Sequence, residues 1–199
     1  SENDTMHKLY VLTSKIISLG DNHGRYFVGL DQPKAFDRQY IRRGKRMAVG
    51  DELKAKLQAW PVSVGAMPGR LDELGQPLFK CEGTTYDVVV IKDVSMGGVG
   101  LSLTPGATAE IVERIRPEDH LALLIHFDPG LRSSLKILVI AQAVRVQTSP
   151  SKEISCGLCF KYLAKSSDQD GGLAWVDVSE AGIEMLEKRI RETEEGRHL

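Results

Sequence analysis

The sequence predicts a mainly β protein: a small antiparallel β-barrel, preceded by a β-hairpin extension and followed by one α-helix. Three observations carry that expectation. Short runs rich in β-branched and aromatic residues recur along the chain. Clusters of Pro, Gly and Ser punctuate them. Only the last segment spaces its apolar residues at helical intervals.

Residues 8–30 read as a hairpin, because "KLYVLTSKIISL" and "RYFVGL" favour strands and "GDNHG" between them supplies turn chemistry. Residues 31–46 hold Pro33 and then mostly polar and basic side chains, and are expected to be a connector. In "DELKAKLQAW" the residues Leu53, Ala55, Leu57 and Ala59 alternate with polar ones, which is strand periodicity. Pro61, Gly65, Pro68, Gly69, Gly75 and Pro77 make residues 61–77 an irregular loop.

"TTYDVVVIKD" is a strand that runs into the turn "VSMGGVG", and "GLSL" begins the next strand. Residues 107–116 fit a strand or a short helix equally well. "HLALLIHF", "LKILVIAQAVRVQT" and "ISCGLCFKYL" supply three further strands. In the C-terminal segment Ile183, Leu186 and Ile190 share one helix face, with Glu184–Lys188 and Glu187–Arg191 as i,i+4 pairs. Asp177 with Glu180 resembles a capping box and so predicts a helix start there, with Gly196 as the stop. The expected organisation is a β extension or the remnant of a preceding module over residues 1–37, a barrel over 38–164, and a linker and helix over 165–199.

Composition narrows the function. With 199 residues, 42% hydrophobic, the chain can bury a core without staples. A net charge of −1 and few aromatics, 6%, exclude a general nucleic-acid binder. Three cysteines are too few for a disulfide framework and suit a reducing, cytoplasmic setting. No apolar run reaches the roughly 18 residues that a membrane helix needs. Cys156 and Cys159 stand three apart on a strand, so they face opposite sides and cannot chelate together. The histidines are scattered, no metal or cofactor is expected, and no catalytic grouping argues for an enzyme.

One segment stands apart from the neutral background. Arg38, Arg42, Arg43, Lys45 and Arg46 fall together without an intervening acid. Arg42 and Arg46 form Arg-x-x-x-Arg, as do Arg38 and Arg42. Further on, Asp93, Ser95 and Gly98 form Asp-x-Ser-x-x-Gly at the exit of a strand. The pattern recurs at Asp177, Ser179 and Gly182, where the amphipathic segment that follows marks it as a helix start.

The arginine pair before a small barrel, the Asp-x-Ser-x-x-Gly turn, and Gly157-x-x-Phe160 in "CGLCF" together resemble the PilZ domain family of bacterial cyclic di-GMP receptors. The resemblance covers about residues 38–164, with loop 61–77 as an insertion. "GLDQPKAFDRQYIRRGKR" with the preceding hairpin is similar to the tail of the N-terminal module of flagellar-brake-type PilZ proteins. The resemblance implies a cyclic di-GMP-binding sensor or effector in which Arg42 and Arg46 hold phosphate and guanine. Arg43 repeats the doubled arginine frequent in the family, and Arg38 stays open as a phosphate contact or a solvated charge. Asp93, Ser95, Gly97 and Gly98 would shape the guanine seat.

These residue types suit that ligand. A guanidinium donates in parallel to phosphate oxygens or to guanine O6 and N7, and its plane stacks on a purine. A carboxylate accepts from the guanine N1–H and amino edge, and a hydroxyl can donate or accept. Glycine lets a base approach the backbone. The alternative is an interaction adaptor of the same fold that works without nucleotide. An unidentified protein partner is expected in either case. The apolar helix stripe is expected to pack on the barrel, with a homodimer or partner contact as the alternative. Motility, exopolysaccharide and biofilm, and virulence control are not distinguished.

Overall fold

A computed structural model describes residues 9–12, 16–22, 25–30, 36–39, 46–50, 54–84, 87–105, 107, 109–128, 134–167 and 172–195. The chain divides into two compact units, Ser1–Arg42 and Arg43–Leu199. In the first, β1 (Leu9–Leu12) pairs antiparallel with β4 (Phe36–Gln39), and β2 (Ile16–Asn22) pairs with β3 (Arg25–Leu30). The expected hairpin is therefore β2–β3. "KLYVLTSKIISL" is not one strand but two, and each takes a different partner. Part of the expected connector is itself a strand, β4.

The second unit is built on one antiparallel sheet. Its strands are β5 (Met47–Ala48), β6 (Lys54–Val62), β7 (Phe79–Cys81), β8 (Val89–Ser95), β9 (Gly98–Leu103), β10 (His120–Asp128), β11 (Leu135–Thr148), β12 (Ile154–Ser166) and β13 (Leu173–Asp177). They pair in the order β5-β8-β9-β12-β11-β10-β6-β7, with β13 added to β12. Among the described residues the hydrogen-bonded path is open between β5 and β7, which makes it an antiparallel sheet. The strand signals at Ala55, Leu57 and Ala59 hold, since all three are buried in the core while Lys54 and Lys56 face out. Leu101, Leu103, Leu121, Leu123, Ile125, Phe127 and Phe160 fill that core with almost no exposure, each contributing about 1.5–3 kcal/mol by leaving water.

Pro61 lies within β6 rather than ending it. Its backbone nitrogen falls on the side of β6 that β7 pairs only as far as Leu57–Ala59, so no ladder bond is lost there. The loop that follows contains a short 3-10 turn, Leu71–Leu74. It is tied down by Trp60 Nε1 donating to the Gly75 carbonyl (3.0 Å) and Trp175 Nε1 donating to that of Pro68 (2.8 Å). The undecided stretch resolves as a short helix, α1 (Ala109–Glu113).

The C-terminal helix, α2 (Glu184–Glu195), packs Leu186 and Ile190 into the core, with Ile183 just before it. It starts later than the sequence implies. Asp177 ends β13, a strand inside the expected linker, and its carboxylate is used locally: Oδ1 accepts from the Ser179 N–H (2.8 Å) and hydroxyl (2.6 Å). Local bonding of this kind competes with helix capping. Arg191 donates to Glu187 as the i,i+4 spacing requires, at 2.6 Å. Cys156 is buried in the core and Cys159 is half-exposed, on opposite faces of β12 as expected. Burial pushes the Cys156 thiol up to about 12 against the pull of Arg145.

Candidate ligand-binding face

The Asp-x-Ser-x-x-Gly turn joins β8 to β9. Ser95 faces Gly98 across the strand pair, so Met96 and Gly97 form a two-residue loop. The loop is bonded from two sides. The Gly97 carbonyl accepts from the Phe160 N–H (3.0 Å), and that of Met96 accepts from the Ile183 N–H (2.8 Å). The Gly-x-x-Phe element thus braces this turn through the backbone of Phe160, whose ring is buried in the core.

Strand pairing brings the second motif to the first. β5 lies on the free edge of β8, with Met47 opposite Val94 and Ala48 opposite Asp93. The Val49 N–H donates to the Lys92 carbonyl at 3.0 Å. Met47 is anchored in the core, so Arg46 emerges beside Asp93. Its Nη1 stands 3.4 Å from the Asp93 Oδ2. The side chains keep 38% and 28% of their exposure, so solvent screens the pair and it is worth at most about 1 kcal/mol. Two residues 47 positions apart are therefore adjacent and weakly committed to one another.

The glycines have distinct structural reasons. A Cβ on Gly98 would stand 2.2 Å from the Leu158 carbonyl oxygen of β12, so close strand approach alone demands glycine there. Ser95 is nearly buried, and its hydroxyl donates to the Gly98 carbonyl over a long 3.4 Å, which makes it a brace of the turn. Gly100 was not singled out from the sequence. It sits opposite Asp93, and a Cβ there would meet the carboxylate at 2.9–3.1 Å. Its absence of a side chain lets the Asp93 carboxylate lie over β9. Glycine recurring at alternate positions, 98 and 100, within a strand was the available sign of a close approach.

The structure therefore brings together Arg46, Asp93, Ser95, Gly97 and Gly98. Arg42 and Arg43 lie outside the described residues, and Arg38 is placed only as a backbone position on β4, opposite Tyr10. In the second Asp-x-Ser-x-x-Gly copy the exposed Asp177 carboxylate bonds Ser179 two residues on, and the first helical turn of α2 lies beyond the pattern. Nearby, Lys92 pairs with Glu153, which also accepts from the Ser102 hydroxyl, and both partners hold that carboxyl below its usual range. A separate open depression beside Pro61, Arg114, Arg116 and His120 includes the acids Glu113 and Asp119, so its charge is mixed. The Asp119 carboxylate already accepts from the Arg116 N–H at 2.8 Å. No group of three or more His, Cys, Asp or Glu among the described residues is placed to hold a metal ion.

No family model matches the chain, and neither does any curated protein. Among solved structures it is similar to the Bacillus subtilis inhibitor of motility MotI/DgrA, at 16% identity and a TM-score of 0.46, over 96% of this chain and 69% of that one. It is also similar to K. pneumonia MrkH in complex with c-di-GMP, at 16% identity and a TM-score of 0.34, over 72% of this chain and 54% of that one. The apo state of MrkH gives 14% and 0.36, over 96% of this chain and 68% of that one. The likeness is loose, with all three TM-scores below 0.5.

Proposed function

We propose that this protein binds cyclic di-GMP and acts as a sensor or effector rather than as an enzyme. The observation that carries the reading is the apposition of Arg46 and Asp93, one residue from each motif, on an open face of the sheet. A guanine edge offers O6 and N7 to a guanidinium, and N1–H and the amino group to a carboxylate. Both partners are here within reach of one base. Exchanging a screened ion pair worth at most about 1 kcal/mol for charge-assisted bonds of about 1.5–3 kcal/mol each favours the ligand.

Arg46 belongs to the Arg42/Arg46 register, so that pair forms the clamp in this reading, and Arg43 adds positive charge. Phosphate held by these arginines would couple ligand binding to a change of conformation, a recognised way to switch a protein between states. A protein partner would then read the ligand-bound form. We take the sheet to be the rolled wall of a small barrel and the setting to be cytoplasmic. No helix among the described residues is long and apolar enough to cross a membrane.

Isothermal titration of the full chain tests the reading. Saturable heat with cyclic di-GMP at micromolar protein, and none with cyclic di-AMP, is expected, because adenine carries an amino donor where guanine carries O6. No heat with cyclic di-GMP, or equal affinity for both nucleotides, would overturn it.

A further inference from the structure

We infer that Arg145 on β11 is a third ligand-holding arginine, which seats the second guanine of the cyclic dinucleotide on the far side of the Asp93 face. The inference rests on the function proposed above and extends it to a residue that neither motif contains.

The register of four strands carries it. Asp93 on β8 lies opposite Gly100 on β9, Gly100 lies opposite Gly157 on β12, and Gly157 lies opposite Arg145 on β11. Directly opposed residues point to the same side of a sheet, so the four share one row on one face. That face is the outer one, because Val94, Val99, Leu158 and Ala143 form the neighbouring row in the core. Between the two charged ends the row has no side chains at all. Three strand spacings of about 4.8 Å put those ends about 14 Å apart at the backbone.

The Arg145 side chain shortens that gap. It folds back over β12, so that its Nε lies 4.0 Å and its Cβ 3.7 Å from where a Cβ of Gly157 would stand. Its guanidinium is exposed and forms no ion pair with a carboxylate among the described residues. The rows on either side hold Gly98, Cys159 and Gln142, and Ser102, Ser155 and Gln147. The acids that reach them are already engaged: Glu118 accepts from Gln142, and Glu153, paired with Lys92, accepts from the Ser102 hydroxyl. A ligand with two guanines joined by two phosphates needs one recognition group at each end and a flat floor between. Arg46 with Asp93 supplies one end, the paired glycines the floor, and Arg145 the other. A guanidinium lying along the sheet can stack on a purine or donate to O6 and N7.

Titration of Arg145→Ala, Arg145→Lys and Gly157→Val with cyclic di-GMP, beside the unaltered protein, tests this. Arg145→Ala is expected to weaken binding about 10-fold or more while the thermal midpoint stays unchanged. Gly157→Val, which keeps the charge but roughens the floor, should lose affinity as well. The lysine variant should behave like the alanine one, because an ammonium keeps the charge but not the plane or the paired donors. Normal binding by the unaltered protein with Arg145→Ala within twofold of it would overturn this inference alone. So would full rescue by lysine. Absence of binding by the unaltered protein would overturn the functional reading and this inference together.

Discussion

The chain carries Asp-x-Ser-x-x-Gly twice, at Asp93–Gly98 and at Asp177–Gly182, and the two copies fold differently. In the first the pattern straddles a strand pair. Asp93 faces outward over Gly100 with its carboxylate toward Arg46, and Gly98 is required by the carbonyl of Leu158. In the second the pattern is a turn before a helix. Asp177 spends one carboxylate oxygen on Ser179, and Gly182 takes a left-handed φ of 74°. The copies also meet, since a Cβ on Gly182 would press on the Met96 carbonyl at 3.0 Å. The pattern by itself has no ligand meaning. What distinguishes the first copy is a neighbouring strand that lacks a side chain where the carboxylate must lie, and an edge strand that delivers an arginine.

The largest expected difference between the copies is in binding. Asp93→Ala should weaken cyclic di-GMP binding by about 30-fold or more, from a loss of about 2–5 kcal/mol, whereas Asp177→Ala should leave it unchanged in the same titration. Equal losses would erase the distinction. Next in size is the role of the two glycines in stability. Gly98→Ala forces β9 and β12 apart and should lower the unfolding free energy by about 3 kcal/mol in urea. Gly182→Ala should cost about 1–2 kcal/mol, from the unfavourable φ and the contact with Met96. A reversed order would mean that the strand pair gives way more easily than the turn.

The smallest effect is on pH. The Ser179 hydroxyl and N–H hold the Asp177 carboxyl below its usual range. A depressed folded value means stability that is fully present above the unfolded value, about 3.9, and is lost as the pH falls through the folded one. The advantage of the native protein over Asp177→Asn in urea melts should therefore shrink between about pH 5 and pH 2. A difference that stays constant across that range would show that Ser179 does not favour the ionised form.

Much of the second unit could be read from the sequence, because its strands announce themselves locally. Ala55, Leu57 and Ala59 alternate, and the runs around Val89, Leu123 and Val139 are long and apolar. The partnership of the basic segment with Asp93 was also legible for Arg46. Gly100 and Arg145 were not, because their roles depend on register. Irregularities between Ile91 and Asp93 and between Ala143 and Arg145 set that register. A slip of one residue would turn Arg145 toward the core, and no local pattern declares which arrangement holds. The helix start was misplaced for a related reason. A capping box and an aspartate bonded to the serine two residues on share the same letters, and only β13 pairing with β12 decides between them.

In the proposed function Arg46 and Asp93 are two halves of one ligand seat. A double-mutant cycle on cyclic di-GMP affinity, using Arg46→Ala, Asp93→Ala and the double variant, tests it most directly. Partners that grip the same base should be non-additive, with an interaction energy of about 1 kcal/mol or more. Losses that add to within about 0.3 kcal/mol would show the two residues acting independently and would contradict the account.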